Sequence, residues 1–127
     1  MEREIKVLLI DDEPDFTKPM AFWFSSKGYY VITASDGEKG LEMIKEKRPD
    51  IVFLDLNMPG MDGVETLEKI REFDKELPVI VVSAYVNKEK VKKLNSLGIS
   101  GVFYKTQELE ASLTLLEVAL RRHKKFK

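Results

Sequence analysis

The chain has 127 residues, 43% hydrophobic and 34% charged, and a formal net charge of −1. That length makes one domain around a single core, and the near-neutral balance offers no field to draw it onto nucleic acid or an anionic membrane. There is no cysteine, which excludes disulfides and thiolate metal sites.

No apolar run approaches the roughly 20 residues needed to span a bilayer. The start, Met1-Glu2-Arg3-Glu4, leads straight into a strand pattern and carries no signal peptide. The expectation is a cytoplasmic protein without membrane association. There is no internal repeat and no low-complexity segment.

The first apolar run, 5–10, reads as a strand ending in Asp11-Asp12. A helical pattern over 15–27 follows, with Phe16, Met20, Trp23 and Phe24 on one face and Gly28 as its stop. Pro19 within it predicts a kink or a delayed start. Phe22 lies off the apolar face and is expected to be exposed. The run 30–34 is a second strand. A helix over 37–47 buries Leu41 and Ile44 and ends before Pro49. The run 51–54 is the third strand and drives directly into Asp55. Pro59, Gly60 and Gly63 turn the chain into a helix over 64–73, with Val64, Leu67, Ile70 and Phe73 in period. The fourth strand, 79–82, runs into Ser83. The next helix, 88–97, shows Val91, Leu94 and Leu97, with Gly98 as its cap. The fifth strand, 101–104, runs into Lys105. Thr106 reads as the N-cap of a last helix that carries Leu109, Leu113, Leu116 and Leu120. A domain over 1–122 and a basic tail or linker start over 123–127 complete the chain, with His123 in the tail rather than in any site.

Five β–α units in alternation imply a parallel sheet with helices on both faces. The nearly continuous apolar runs suit strands covered on both sides. In such α/β sheets ligands bind beyond the carboxyl ends of the strands, where strand order reverses. The residues that close the strands therefore carry the function: Asp11, Asp12, Asp55, Ser83 and Lys105. With strand order 2-1-3-4-5, the acids of strands one and three meet.

Clustered carboxylates repel and raise one another's pKa. A hard divalent cation relieves this, and Mg²⁺ needs only one or two carboxylates beside its waters. Asp12 and Asp55 could supply them, and the carbonyl of Asn57 another oxygen. Asp55 could then attack a phosphoryl donor and become an aspartyl phosphate. Lys105 would contact one phosphoryl oxygen and Ser83 another. The Ser83 hydroxyl is expected to gain a partner only on phosphorylation.

These segments resemble the receiver domain of two-component response regulators of the chemotaxis-regulator type. The resemblance is carried by Val7-Leu8-Leu9-Ile10-Asp11-Asp12-Glu13-Pro14, by the long stretch from Asp50 to Gly63, by Pro78-Val79-Ile80-Val81-Val82-Ser83-Ala84, and by Lys105. It covers about residues 4 to 122. It implies a doubly wound, flavodoxin-like fold of five parallel strands in the order 2-1-3-4-5 with five helices. It also implies Asp55 as phosphoacceptor from a sensor histidine kinase in a phosphorelay, with Asp11 and Asp12 holding Mg²⁺. Such a module is not an enzyme toward other substrates; it assists its own phosphorylation and dephosphorylation. Kinase docking is implied near the first helix, with Phe22 a candidate contact. Downstream partners or an output domain are implied on helix four, strand five and helix five, with homodimerisation on phosphorylation as one outcome. The lysines of helix four, Lys88, Lys90, Lys92 and Lys93, read as a solvated face; they could instead meet an acidic partner, or Glu108 and Glu110 across a dimer.

Two positions depart from the family pattern. Thr106 replaces the proline that usually follows the lysine after a cis bond. Because a cis bond before a non-proline residue costs roughly 3 kcal/mol, either the site supports that strain or the loop is trans. Val102 stands where the family often has an aromatic switch residue. These departures leave a second reading open, a degenerate receiver that binds partners without phosphorylation. Tyr85, two residues after Ser83, could flank the site and hinder water. A metal-dependent phosphohydrolase fits less well. It would place a second Asp two residues after its nucleophile, whereas Asp11 and Asp12 are adjacent and Glu13-Pro14 follows.

Overall fold

A computed structural model describes residues 4–123. Five strands and five helices alternate: β1 Lys6–Ile10, α1 Pro14–Ser26, β2 Tyr30–Ala34, α2 Gly37–Lys47, β3 Ile51–Asp55, α3 Gly63–Phe73, β4 Val79–Ser83, α4 Lys88–Leu97, β5 Gly101–Tyr104 and α5 Leu109–Arg122. The strands form one sheet in the order β2-β1-β3-β4-β5, and every pairing is parallel.

Successive strand residues point to opposite faces, and both faces are covered. Leu8, Ile10, Val52, Leu54, Val79 and Val81 pack on one side with Ile44 of α2, Leu67 and Ile70 of α3 and Leu94 of α4. Val7, Leu9, Ile51, Phe53, Ile80 and Val82 pack on the other with Met20 and Phe24 of α1 and Leu116 and Leu120 of α5. Every residue of the central strand β3 is buried, including its last, Asp55. Each large apolar side chain buried here stabilises the fold by about 1.5–3 kcal/mol. An aspartate on that strand is therefore carried into the interior by its neighbours.

Three helices, α2, α3 and α4, start where a side chain satisfies a free backbone N–H group. Asp36 accepts from the Lys39 N–H at 2.8 Å, Asp62 from Glu65 at 2.9 Å and Asn87 from Lys90 at 2.8 Å. Gly63 begins α3 at a point of close approach. A Cβ there would lie 2.4 Å from the Asp55 carbonyl oxygen and 2.5 Å from Leu56 Cα. Only glycine lets α3 sit against the end of β3, and Gly60, at φ +78°, makes the preceding turn.

Several expectations need correction. β3 and β4 end on Asp55 and Ser83 as expected, whereas β1 stops at Ile10 and β5 at Tyr104, just short of Asp11 and Lys105. β1 starts at Lys6 and α1 at Pro14, with Pro14 in the first turn, where a missing N–H matters least. Pro19 does not delay α1, which already runs from Pro14. It sits on the exposed side of the second turn, where it removes one hydrogen bond from a helix anchored by Met20 and Phe24. Thr106 is not the N-cap of α5. The Gln107 N–H donates to the Tyr104 carbonyl at 2.8 Å, while Gln107 Oε1 accepts from the Tyr104 N–H at 2.8 Å. That closed turn uses residues 104–107, and the helix begins only at Leu109. Phe73 is half-exposed, with the Lys45 ammonium 5.0 Å from its ring centroid. Trp23 is half-buried and lies under Lys27, 4.4 Å away.

α5 ends at Arg122. His123 caps it and places Nε2 3.4 Å from the Ser100 hydroxyl, so it belongs with the folded unit. The rest of the expected tail lies outside the described residues. No helix among the described residues is long and apolar enough to cross a membrane.

Candidate functional site

The residues that close β1, β3, β4 and β5 meet at the carboxyl edge of the sheet. Register brings them together: Ile10 pairs with Leu54, Asp55 with Val82 and Ser83 with Tyr104. Backbone bonds continue the register past the strand ends, from Leu56 N–H to the Val82 carbonyl at 3.0 Å and from Lys105 N–H to the Ser83 carbonyl at 2.9 Å.

Carboxylate oxygens of Asp11, Asp12, Glu13 and Asp55 all lie within 4.8 Å of one another. Asp11 and Asp55 are buried; Asp12 and Glu13 are exposed. Lys105 Nζ reaches into the cluster, in contact with Glu13 Oε1, 3.2 Å from Asp11 Oδ2 and 3.6 Å from Asp55 Oδ2. The Asp55 oxygens differ. Oδ1 accepts the Asn57 N–H at 3.1 Å, whereas buried Oδ2 has no hydrogen-bond partner. Buried polar atoms are nearly always paired, so an orphaned carboxylate oxygen among other acids marks a place for a cation or an incoming group.

The electrostatics agree. Burial pushes the Asp55 carboxyl up to about 6; the Asn57 N–H opposes this, the Asp11 charge adds to it and Lys105 opposes it. Burial also raises Asp11, against the Glu13 N–H and Lys105. For Lys105, burial pulls the ammonium down, but Glu13, Asp11 and Asp55 outweigh it and the net shift is upward. A positive charge at this edge would favour the ionised carboxylates, and this donor set of oxygens alone suits a hard cation.

Ser83 is fully buried and is not waiting for a partner. Its hydroxyl donates to the Tyr85 carbonyl at 2.8 Å and accepts the Tyr85 N–H at 3.2 Å. A buried hydroxyl at a strand end must be satisfied in the resting state, so any new bond has to displace one already made. Asn57 contributes more than a carbonyl: its Nδ2 lies 3.4 Å from Ser83 Oγ, which links the acid and hydroxyl sides of the site. Tyr85 is 77% exposed beside the edge. There is no cis peptide among the described residues, so the Lys105–Thr106 bond is trans. Val102 is half-buried against the face that holds Leu94.

Glu13 escaped the sequence reading as a site residue. Its only local signal is that it extends Asp11-Asp12 into a run of three acids. Its partner, Lys105, stands 92 positions away. Phe16, on the apolar face of α1, also places its ring centroid 4.8 Å from Lys105 Nζ.

This five-stranded parallel sheet with helices on both faces is the fold of solved receivers of the chemotaxis-regulator type. The chain belongs to that family: the model of the response regulator receiver domain matches residues 7–117. It is 39% identical over 127 residues to a probable C4-dicarboxylate response regulator, DctR, of Bacillus subtilis, covering 98% of this chain and 54% of that protein. It is 38% identical over 119 residues to the chemotaxis protein CheY of Treponema pallidum, covering 91% of this chain and 83% of that protein. It is 30% identical over 105 residues to sporulation initiation phosphotransferase F of Bacillus subtilis, covering 83% and 85%. The chain thus spans about half of the first relative's length and most of the other two. Among solved structures, the chemotaxis protein CheY4 of Vibrio cholerae superposes with a TM-score of 0.85 at 28% identity, covering 93% of this chain and 100% of that one.

Proposed function

We propose that this receiver domain is a phosphorylation-activated signalling module in which Asp55 takes a phosphoryl group from the histidine of a sensor kinase. The observation that carries this reading is the buried Asp55 Oδ2, without a hydrogen bond and facing Lys105. A nucleophilic oxygen must be free of donors, close to a cation and shielded from bulk water, and this one meets all three conditions.

Asp11, Asp12 and Asp55 would hold Mg²⁺, with Asn57 supplying a carbonyl oxygen. Bound there, the ion would neutralise charge on the phosphoryl group during transfer. Asp55 contributes the attacking oxygen and keeps its other oxygen on the Asn57 N–H. Lys105 supplies a fixed positive charge to a phosphoryl oxygen. Ser83 gives up the Tyr85 carbonyl and donates to another phosphoryl oxygen, which releases the loop leading into α4. The exchange biases α4, β5 and α5 toward a second arrangement, and a downstream partner or output domain that binds the two arrangements unequally reads the signal. Homodimerisation on that surface belongs to the same reading.

Phe22 on α1, 78% exposed, is the contact proposed for the kinase. The module acts in the cytoplasm, as phosphoacceptor rather than as an enzyme on other substrates, and touches no nucleic acid directly.

Acetyl phosphate with Mg²⁺ tests the reading. Intact-mass measurement should show one added phosphoryl group, absent in Asp55→Asn, and beryllium fluoride should shift NMR signals of α4 and of residues 84–87. A parent protein that takes no label and shows no such shift would leave the degenerate receiver as the better account.

A further inference from the structure

Lys105 ranks its three carboxylate contacts against the order that charge alone would set. Its Nζ touches Glu13, whose side chain is 60% exposed, and stands 3.6 Å from Asp55, whose side chain is 1% exposed. An ammonium gains more from a buried carboxylate than from one screened by water. Asp55 Oδ2 also has no competing hydrogen bond. The backbone of Lys105 is tied to Ser83, so only its side chain chooses among partners.

The junction of β1 and α1 supplies what draws it away. The Glu13 N–H donates to Asp11 Oδ1 at 2.9 Å, which fixes the Glu13 backbone beside the cluster. Asp11 Oδ2 stands 3.2 Å from the ammonium. One turn further on, Phe16 offers its ring 4.8 Å from Nζ, a contact that favours a cation lifted toward α1. The lysine is thus held on the α1 side of the site, within ion-pair range of Asp55 but beyond hydrogen-bond distance.

We propose that Glu13 is a positioning residue: its carboxylate draws Lys105 away from Asp55 in the resting state and keeps Asp55 Oδ2 open, and the lysine changes partner from Glu13 to the phosphoryl group once Asp55 is modified. This rests on the phosphoacceptor reading of Asp55. It separates Glu13 from the metal ligands, although its oxygen lies within reach of theirs.

Glu13→Gln and Lys105→Met, made singly and together, test it with two readouts. In metal-free protein, the NMR shift of the Asp55 carboxyl carbon should move in Glu13→Gln as Lys105 closes on it. The same substitution should leave that shift unmoved in the Lys105→Met background. By calorimetry, the Mg²⁺ dissociation constant should rise roughly three- to tenfold in Glu13→Gln, within the coupling range of adjoining residues, and by less than about twofold in the Lys105→Met background. Equal effects of Glu13→Gln in both backgrounds would make Glu13 an ordinary acidic contributor or direct ligand and would overturn the proposal. A parent that neither binds Mg²⁺ nor accepts a phosphoryl group would instead sink the phosphoacceptor reading, and the carboxyl shift would still decide the role of Glu13.

Discussion

Two aspartates bracket the central strand. Asp50, just before β3, and Asp55, its last residue, are both buried, with 4% and 1% of their surface exposed. Their surroundings differ. Asp50 Oδ2 accepts the Lys6 N–H at 2.8 Å, and the Asp50 N–H donates to the Lys6 carbonyl at 2.9 Å. Asp50 thereby fastens the start of β1 to the start of β3. Asp55 Oδ2 has no hydrogen bond and lies among other acids. The same residue type at similar depth does opposite things. One carboxylate completes the backbone's hydrogen bonding; the other is left incomplete at the expense of the fold. Burial alone does not mark a functional acid; burial without a partner does.

Four experiments would break or sharpen that contrast. The largest expected effect is on labelling: Asp55→Asn should abolish phosphoryl uptake from acetyl phosphate, and Asp50→Asn should retain it, as read by intact mass. Equal labelling of the parent and Asp55→Asn would break the comparison at its centre.

The next effect is on stability and has a definite sign. Asp55 titrates near 3.8 when unperturbed and is raised to about 6 in the fold. A raised carboxylate contributes stability that is fully present below its unfolded pKa and is lost as pH rises through its folded pKa. The parent should therefore lose up to about 3 kcal/mol relative to Asp55→Asn between acid and neutral pH without divalent cations. Urea midpoints of the two proteins should coincide below about pH 4, separate between about pH 4 and 6, and keep a constant gap above that, with the variant more stable. A gap unchanged from acid to neutral pH would refute the linkage to Asp55.

Mg²⁺ should narrow that gap. At a concentration one hundred times its dissociation constant it should stabilise the parent by about 2.7 kcal/mol, and far less in Asp55→Asn. Chelator should reverse the gain. Equal stabilisation of both proteins would place the cation elsewhere.

The smallest effect falls at the other end of the strand. Asp50→Asn should lower stability by about 1–2 kcal/mol, because the bond to the Lys6 N–H loses its charged acceptor. Its urea midpoint should fall where that of Asp55→Asn rises. A midpoint that rose instead would show that the two aspartates are alike.

Much of the fold could be read along the chain. β2, β5, α2 and α4 fall where their patterns place them, because strands covered on both faces need unbroken apolar runs and the helices repeat Leu and Ile in period. Asp11, Asp55, Ser83 and Lys105 could be read as strand-end residues for the same reason, since each follows an apolar run directly, with Asp12 one residue further on, and a parallel sheet delivers all such residues to one edge. The start of α5 could not be read, since Thr106 looks like a cap until Gln107 folds back on Tyr104. The resting partner of Ser83 is a backbone carbonyl two residues on, which no side-chain pattern announces.

Local pattern by itself determined the element order, the two-sided burial of the strands and the arrival of acids, hydroxyl and lysine at one edge, because alternation and periodicity act over a few residues. Tertiary structure alone decided how those groups divide their hydrogen bonds: Lys105 on Glu13, Ser83 on Tyr85, and none on one oxygen of Asp55. Such choices depend on ångström differences between chain segments far apart in sequence, and on which of two carboxylates the packing leaves in water.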